Sequence, residues 1–233
     1  MILIGIDDTD TIDTPGTNQL ARRIVEALTA EFRCLAIVRH QLFFDPRIPY
    51  TSKNGSASIW LEPRGTYSPD VLLTKLRHLM QEFFVVGSDP GLCIATDVPP
   101  PVTAYAERCK REIITQDAAH ATATAAGIHL EGLGGTEGGV IGALAAVGLA
   151  MTQNDGRIVQ WGEWPDDLSE LQSVSTLAQR GIAVRELETG RDVHLGDVDV
   201  GKHLRPNLVQ GQAVLSVMPH PEITGTWLGL KRT

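Results

Sequence analysis

Residues 1–11 read Met1-Ile2-Leu3-Ile4-Gly5-Ile6-Asp7-Asp8-Thr9-Asp10-Thr11 and join an apolar run to an acidic turn. The apolar run predicts a buried strand, and three carboxylates follow within four positions. Carboxylates this close repel one another unless a cation lies between them. Mg²⁺ takes such oxygens, usually one or two from the protein together with substrate phosphates. We therefore interpret Asp7, Asp8 and Asp10 as Mg²⁺ ligands; the alternative is an acidic surface turn whose aspartates cap backbone amides.

A helix start follows the acidic turn. Thr14-Pro15-Gly16-Thr17 leads into an apolar stripe with i, i+4 spacing, which is formed by Leu20, Ala21, Ile24, Val25 and Leu28. The N terminus of a helix offers unpaired backbone N–H groups to an anion. Strand, acidic turn and helix start together predict a site for a metal ion and a nucleotide.

Periodicity predicts an α+β fold built from two units. Residues 1–98 have the element order βαββαβ, which is the ferredoxin-like order. The predicted elements are strand 1–7, helix 17–31, strand 34–40, strand 57–62, helix 69–83 and strand 92–95. Residues 99–233 form the second unit, which we expect to pack on the first as one compact body. Its predicted elements are a helical stretch over 102–126, a glycine loop, an apolar helix over 140–151, strand 158–161, helix 168–179 and strands 183–187, 213–218 and 227–230.

The composition of the 233-residue chain, 42% hydrophobic and 21% charged, is that of an ordinary globular protein. No apolar run approaches the roughly 20 residues of a membrane span, and no basic segment precedes the first apolar run, so we expect a cytoplasmic protein without membrane contact. Cys34, Cys93 and Cys109 are too far apart to indicate a disulfide framework or a zinc ribbon, and we expect buried thiols. The net charge of −8 argues against a chain whose main task is to bind a nucleic-acid backbone.

The glycine loop is a second candidate for binding the nucleotide, and it contains Gly132, Gly134, Gly135, Gly138 and Gly139. Gly138 and Gly139 open the apolar helix, and backbone without Cβ atoms lets N–H groups approach phosphates. The loop matches neither the Walker A motif nor the dinucleotide fingerprint. The alternative is that Gly138, Gly139 and Gly142 allow the helix to pack closely on the sheet.

Residues 45–55 form a polar loop that is longer than an ordinary hairpin turn. Arg47 and Lys53 are candidates for contact with substrate phosphates, and Asn54 is a candidate for orienting a ligand. The alternative is a solvated surface loop.

Several of these segments, in chain order, resemble the catalytic half of the archaeal isoleucine-tRNA 2-agmatinylcytidine (agmatidine) synthetase family. The opening motif of that family, G-I-D-D-T-D-S, is matched from Gly5 to Asp10, with Thr11 in place of the serine. Its I-P-Y motif with a following N-G, its D-P-G turn and its helix G-L-I-G-A-L-A-A-I-G are similar to residues 48–55, 89–91 and 139–148.

The resemblance implies a kinase-like unit packed with a ferredoxin-like unit, binding ATP and Mg²⁺. In that family the domain phosphorylates the C2 oxygen of an anticodon cytidine so that agmatine displaces the phosphate. It also phosphorylates its own threonine, which corresponds to Thr17 here. The candidate residues are Asp7, Asp8, Asp10 and Thr17 for catalysis, the same three aspartates for the metal, and Thr9, Thr11, Lys53, Asn54, Gly138 and Gly139 for the nucleotide.

The chain also departs from the family pattern. Gly16 and Asn18 flank Thr17 where the family has cysteine and a second threonine, and the glycine loop has Thr136-Glu137 where basic residues are common. No segment resembles the OB-fold and zinc ribbon that hold the RNA. We therefore expect an ATP- and Mg²⁺-dependent phosphotransferase or ligase-like enzyme whose acceptor is open and includes small molecules, and we expect no direct tRNA binding without a partner. Two alternatives stay open: a non-catalytic nucleotide-binding module, and a tRNA cytidine-modifying enzyme that needs a separate RNA-binding partner.

Overall fold

The structure, a computed structural model, describes residues 1–9, 16–48, 54–83 and 85–231. The helices of this part are α1 (Thr17–Leu28), α2 (Pro69–Glu82), α3 (Pro100–Cys109), α4 (Gln116–Ala126), α5 (Val140–Thr152) and α6 (Val174–Gln179). The strands are β1 (Ile2–Asp7), β2 (Phe32–Gln41), β3 (Gly55–Pro63), β4 (Gly91–Ala95), β5 (His129–Gly132), β6 (Arg157–Trp161), β7 (Leu171–Ser173), β8 (Ile182–Glu186), β9 (Asp197–Asp199), β10 (Asn207–Val209), β11 (Gln212–Pro219) and β12 (Thr226–Gly229).

These strands form one large, mostly antiparallel sheet, and the fold is of the predicted mixed α+β class. Across the described residues the strand order is β5-β4-β1-β3-β2-β6-β10-β11-β12-β9-β7, and β8 pairs with β11. The pairs β8–β11 and β9–β12 are parallel. Strand β1 is an interior strand, because β3 and β4 pair with its two edges.

The elements of residues 1–98 follow the predicted order β1-α1-β2-β3-α2-β4. Strand β1 is buried on both of its faces. Ile2, Ile4 and Ile6 are buried in a cluster with apolar residues of α1 and α2, whereas Leu3 belongs to the cluster on the opposite face. Gly5 also faces that opposite side, where α5 lies. Helices on both faces bury a strand that is apolar at almost every position.

Glycines let α5 lie close to the sheet. A Cβ atom on Gly5 would lie 1.9 Å from the carbonyl oxygen of Ala143, and one on Gly91 would lie 2.2 Å from the carbonyl carbon of Gly139. A Cβ on Gly139 would lie 2.4 Å from the carbonyl oxygen of Asp89. Real Cβ atoms do not approach backbone this closely, so side chains at these positions would push the helix off the strands.

Several predicted elements are wrong. The stretch 102–126 is not one helix but α3 and α4, because the Thr115 hydroxyl accepts a hydrogen bond from the Ala118 amide (3.3 Å) and starts a new helix. The predicted helix 168–179 is limited to α6. Ser173 caps α6 by accepting from the Thr176 amide (3.1 Å), and the residues before it join the sheet as β7. Strands β5, β9 and β10 were not predicted from the sequence.

No helix within the described ranges is long and apolar enough to cross a membrane.

Candidate functional site

A cleft of about 260 Å³ lies where the C-terminal end of β1 meets the N-terminal end of α5. Segments that are far apart in the sequence meet in its wall. The polar and glycine residues that line it include Asp7, Asp8, Asn54, Asp89, Glu112, Gln116, Thr136, Gly138 and Gly142. The acidic turn, the end of the 45–55 loop and the glycine loop, each a candidate from sequence, therefore face the same space.

Asp7 and Asp8 are neighbours in sequence, yet both line the cleft. Successive residues of a strand point to opposite faces, and Asp7 is the last residue of β1. Asp8 has φ of +50°, in the left-handed region, so the chain turns directly after the strand. Asp is one of the residue types that adopt this region most readily. The turn accounts for two adjacent carboxylates on one cavity wall.

Gly142 leaves room for the carboxylate of Asp7. A Cβ on Gly142 would lie 1.8 Å from Asp7 Oδ2 and 2.5 Å from its Cγ. The Asp7 side chain therefore occupies the space that the missing side chain of α5 provides. Gly139 packs closely against backbone and Gly142 against the Asp7 side chain, whereas the atom nearest to the Cβ position of Gly138, apart from its two chain neighbours, lies 3.5 Å away, and Gly138 lines the cleft.

Asp89 occupies the inner side of the glycine loop. Its Oδ1 accepts from the backbone N–H of Thr136 (2.7 Å), and its Oδ2 accepts from the Thr136 hydroxyl (2.5 Å). Gly135 has φ of +60°, and a Cβ there would lie 1.6 Å from Asp89 Oδ1. The amide of Thr136 is therefore already bonded to a carboxylate of the chain itself.

Thr17 is the first residue of α1, and its side chain is buried. The Thr9 hydroxyl, which is also buried, donates to Thr17 Oγ1 over 3.1 Å. Neither threonine is among the described residues that line the cleft. Asp10, Thr11 and Lys53, which the sequence also assigned to the site, lie outside the described residues.

Asn54 lies at the rim of the cleft, and its side-chain amide donates to the carbonyl oxygen of Phe43 (2.8 Å). Arg47, a candidate for phosphate contact, donates instead from Nε and Nη2 to the two carboxylate oxygens of Asp45 (2.7 and 2.8 Å). These hydrogen bonds hold the pKa of Asp45 at about 2. The structure thus brings Asn54 to the cleft and pairs Arg47 with a carboxylate on the exposed loop.

The three cysteines are buried and unpaired, as expected. Cys109 lies against the cleft, and burial raises the pKa of its thiol to about 12. A thiol with this pKa is neutral near pH 7, so it does not supply a nucleophile.

The charged residues among the described part of the cleft lining are Asp7, Asp8, Asp89 and Glu112. A nucleotide carries several negative charges, which a cation held by carboxylates would offset. The described residues contain no group of three or more His, Cys, Asp or Glu side chains that could hold a metal ion. Two carboxylates completed by phosphates and water are, however, the ligand set that Mg²⁺ commonly takes, so Asp7 and Asp8 fit this ion.

Part of this lining was not predicted from the sequence. Asp89 was noticed only as part of a turn, and Glu112 and Gln116 lie in and after the break between α3 and α4, which was predicted as continuous helix. Gln116 donates from Nε2 to the carbonyl oxygen of Thr136 (2.9 Å), so it fixes the glycine loop from the other side. The polar residues Lys110-Arg111-Glu112 were the signal in the sequence for this break.

No protein-family model and no curated protein matches the sequence. Solved structures do match. The chain is similar to a tRNA fluorescent labeling enzyme, with a TM-score of 0.55 and 24% identity over 63% of this chain and 35% of that one. It is similar to apo TiaS, a tRNA(Ile2) agmatidine synthetase, with a TM-score of 0.54 and 24% identity over 63% of this chain and 35% of that one.

A third structure, the TiaS–tRNA(Ile2)–ATP complex, matches with a TM-score of 0.54 and 24% identity over 63% of this chain and 36% of that chain. The chain thus spans about a third of the length of these proteins. At this level of identity the likeness shows the fold: a mixed α+β architecture of the TiaS type with a large, mostly antiparallel sheet.

Proposed function

We propose that the protein is an ATP- and Mg²⁺-dependent phosphotransferase whose nucleotide binds in the acidic cleft. The observation that carries this proposal is that Asp7 and Asp8 share one cavity wall with the open glycine Gly138 at the start of α5. Support also comes from the similar structures, one of which is described as a complex with ATP and tRNA(Ile2). The proposed architecture is a ferredoxin-like unit over residues 1–98 and a kinase-like unit over residues 99–233.

Asp7 and Asp8 are proposed to hold Mg²⁺ together with the ATP phosphates, and Asp10 is proposed as a third ligand. When bound, this ion neutralises the phosphate charge that the acidic lining would otherwise repel. The chain contributes rigid placement. Asp7 is fixed by the sheet and by the gap at Gly142, and the left-handed turn at Asp8 directs the second carboxylate to the same wall.

The remaining candidates are assigned around this centre. Gly138 is proposed to lie against the phosphates, with Asn54, Lys53, Thr9 and Thr11 as further nucleotide contacts. Gly139, also a candidate, acts through packing, because backbone surrounds it. Thr17 is proposed at the phosphate end of the site. Its bond with Thr9 ties the acidic turn to α1, so phosphorylation of Thr17 requires this buried hydrogen bond to open.

A non-catalytic nucleotide-binding module is the second candidate, and the glycine loop favours it. Asp89 already uses the backbone N–H and the hydroxyl of Thr136. A loop with fewer unpaired donors stabilises a transferring phosphoryl group less. The third candidate, a tRNA cytidine-modifying enzyme that acts with an RNA-binding partner, is supported by the tRNA complexes among the similar structures.

The test is ATP binding and turnover by the purified protein with Mg²⁺, with and without a chelator. We expect Asp8→Asn to lower Mg²⁺-dependent turnover on the order of 100-fold, since a metal ligand loses its charge. Asp197→Asn is the matched control, because this exposed carboxylate lies on β9 outside the cleft lining, and it should leave turnover unchanged.

The outcomes separate the candidates. Tight ATP binding without turnover, lost in Asp8→Asn, favours the binding module. Sub-micromolar binding of total tRNA in a gel shift at stated salt favours the tRNA-modifying enzyme. The proposal fails when the protein neither binds nor hydrolyses ATP with any divalent ion.

A further inference from the structure

The glycine loop contains an anion that the chain itself supplies. Asp89 lies in the segment between α2 and β4, and its carboxylate enters the loop. Oδ1 accepts from the backbone N–H of Thr136 (2.7 Å), and Oδ2 accepts from the hydroxyl of the same residue (2.5 Å). Glycine-rich loops that open a helix commonly offer such N–H groups to an external phosphate or carboxylate. In this loop Asp89 takes the place of that external anion.

The backbone of the loop is shaped around this carboxylate. Gly135 has φ of +60°, a conformation that side chains rarely adopt. A Cβ on Gly135 would lie 1.6 Å from Oδ1 and 2.7 Å from Cγ of Asp89. A side chain at position 135 and the carboxylate therefore cannot occupy this space together. The fit shows that the carboxylate is part of the loop and not a surface group resting on it.

Backbone hydrogen bonds hold the two ends of the loop, and the carboxylate holds its tip. The N–H of Leu133 donates to the carbonyl oxygen of Pro90 (2.8 Å), and the N–H of Gly139 donates to the carbonyl oxygen of Asp89 (2.9 Å). These two bonds fix the loop where it leaves β5 and where it enters α5. Thr136 lies between them, and its N–H and hydroxyl are bonded to the Asp89 side chain.

These bonds leave one backbone amide of the loop available to a ligand. Of the five N–H groups between residues 136 and 140, four donate to acceptors of the chain: those of Thr136, Glu137, Gly139 and Val140. The N–H of Gly138 has no hydrogen-bond acceptor within the described residues. Gly138 lines the cleft, and apart from its chain neighbours the atoms nearest to its Cβ position are Asp89 Oδ2 (3.5 Å) and Thr136 Oγ1 (3.6 Å). The bonded pair of Asp89 and Thr136 thus supports the one open amide.

We propose that Asp89 is a positioning residue for the nucleotide. Its carboxylate fills the glycine loop and holds it in the shape that presents the amide of Gly138, and not the amide of Thr136, to the phosphates. The role in nucleotide binding rests on the proposed function, whereas the filling of the loop by the carboxylate does not.

Asp89→Ala is the first variant that tests the proposal. It removes both acceptors from Thr136 and leaves space for a carboxylate inside the loop, so the tip is no longer held. We expect Mg²⁺-dependent ATP turnover per folded molecule to fall on the order of 10- to 100-fold, because a displacement of about 1 Å near a reacting group has this order of effect. Sodium formate supplies a free carboxylate and should restore much of the turnover, whereas sodium chloride at equal concentration should not.

Gly135→Ala is the second variant, and it should not respond to formate. Its Cβ would occupy the position of Asp89 Oδ1, so it displaces the carboxylate and also blocks the entry of formate. We expect a similar loss of turnover without rescue. Asp89→Asn should keep turnover within about threefold of the wild type, since its amide can accept from the N–H and donate to the hydroxyl of Thr136. Asp97→Ala is the matched control: Asp97 lies beyond the other end of β4, outside the cleft lining, and its loss should leave turnover unchanged.

A second readout needs no nucleotide. The melting temperature of Asp89→Ala should lie below that of the wild type and should rise more with formate than with chloride, because an anion that binds only the folded loop stabilises it. The wild type and Gly135→Ala should show no difference between the two salts.

Three results would overturn the proposal. The first is an Asp89→Ala protein that keeps turnover per folded molecule within about threefold of the wild type. The second is an Asp89→Ala protein whose turnover and melting temperature respond equally to formate and chloride. The third is an equal loss of turnover in Asp89→Asn and Asp89→Ala, because hydrogen bonds to Thr136 would then not be what positions the loop.

Failure of the proposed function is distinguishable from failure of this proposal. A wild-type protein that binds no ATP with any divalent ion overturns the role of Asp89 in nucleotide binding. A formate-specific rise in the melting temperature of Asp89→Ala would still support a loop that is built around the carboxylate.

Discussion

Replacing Gly142 with alanine should displace the Asp7 carboxylate while it leaves the stability of the fold nearly unchanged. The added Cβ would lie 1.8 Å from Asp7 Oδ2, whereas ordinary contact begins near 3.4 Å, so the oxygen must move by about 1.6 Å. This oxygen and Cγ of Asp7 (2.5 Å) can rotate away, whereas Cβ of Asp7 (3.1 Å) must shift with the backbone by about a few tenths of an ångström. Alanine also favours a helix over glycine by up to about 1 kcal/mol, which offsets the local strain.

We therefore expect Gly142→Ala to keep its melting temperature within about 4 °C of the wild type, which corresponds to about 1 kcal/mol in a chain of this size. We expect Mg²⁺-dependent ATP turnover to fall about 100-fold, because a 1 Å misplacement of a group at a reaction centre has that order of effect. Thermal unfolding and a steady-state phosphate-release assay on the same preparation measure both quantities.

Gly148→Ala is the matched control on the same helix. Its Cβ would lie 2.6 Å from the carbonyl oxygen of Val102 and 2.5 Å from Cβ of Ala106, so it strains the contact between α5 and α3 and does not touch Asp7. This variant should lose stability and keep turnover per folded molecule. The reasoning is refuted when Gly142→Ala retains turnover within about threefold of the wild type, or when its turnover falls only in proportion to its folded fraction.

The fold allows two further predictions. Gly5→Ala should lower the free energy of unfolding by about 4 kcal/mol or more, because its Cβ would meet the backbone oxygen of Ala143 at 1.9 Å and neither backbone can yield. A loss below about 1 kcal/mol in urea denaturation would contradict this expectation. His40 has a folded pKa of about 3 against an ordinary value of 6.5, so between these values the unfolded chain binds more protons. The free energy of unfolding should thus fall as the pH drops from about 6 to 3, by up to about 1.4 kcal/mol per pH unit. Urea denaturation of His40→Gln at several pH values is the control: if its free energy of unfolding falls with pH as steeply as that of the wild type, another group is responsible.

Much of the first unit was predictable because its signals are local. The apolar run of β1 and the apolar stripe of α1 each need only a short stretch of sequence. The break between α3 and α4 has no glycine or proline to mark it, and the chain there is Lys110-Arg111-Glu112-Ile113-Ile114. Strands as short as β9 and β10 carry three residues each, too few for a period to be recognised.

The residues of the candidate site were likewise predictable only where a local sequence motif marks them. Asp7, Asp8, Asn54 and Gly138 were named from sequence motifs, and they do line one cleft. The contact of Asp89 with the glycine loop was not predictable, because it joins residues 47 positions apart through a turn that carries no charge pattern.

The cross-strand pairing of Arg39 on β2 with Arg157 on β6 is another feature that the sequence does not predict. Arg39 and Arg157 are separated by more than a hundred residues, and only the register between β2 and β6 makes them neighbours. Each looks like an ordinary strand residue in its own segment, so no local pattern distinguishes them from Arg33, which has a carboxylate opposite. A pair of like charges becomes visible only when the pairing of strands is known.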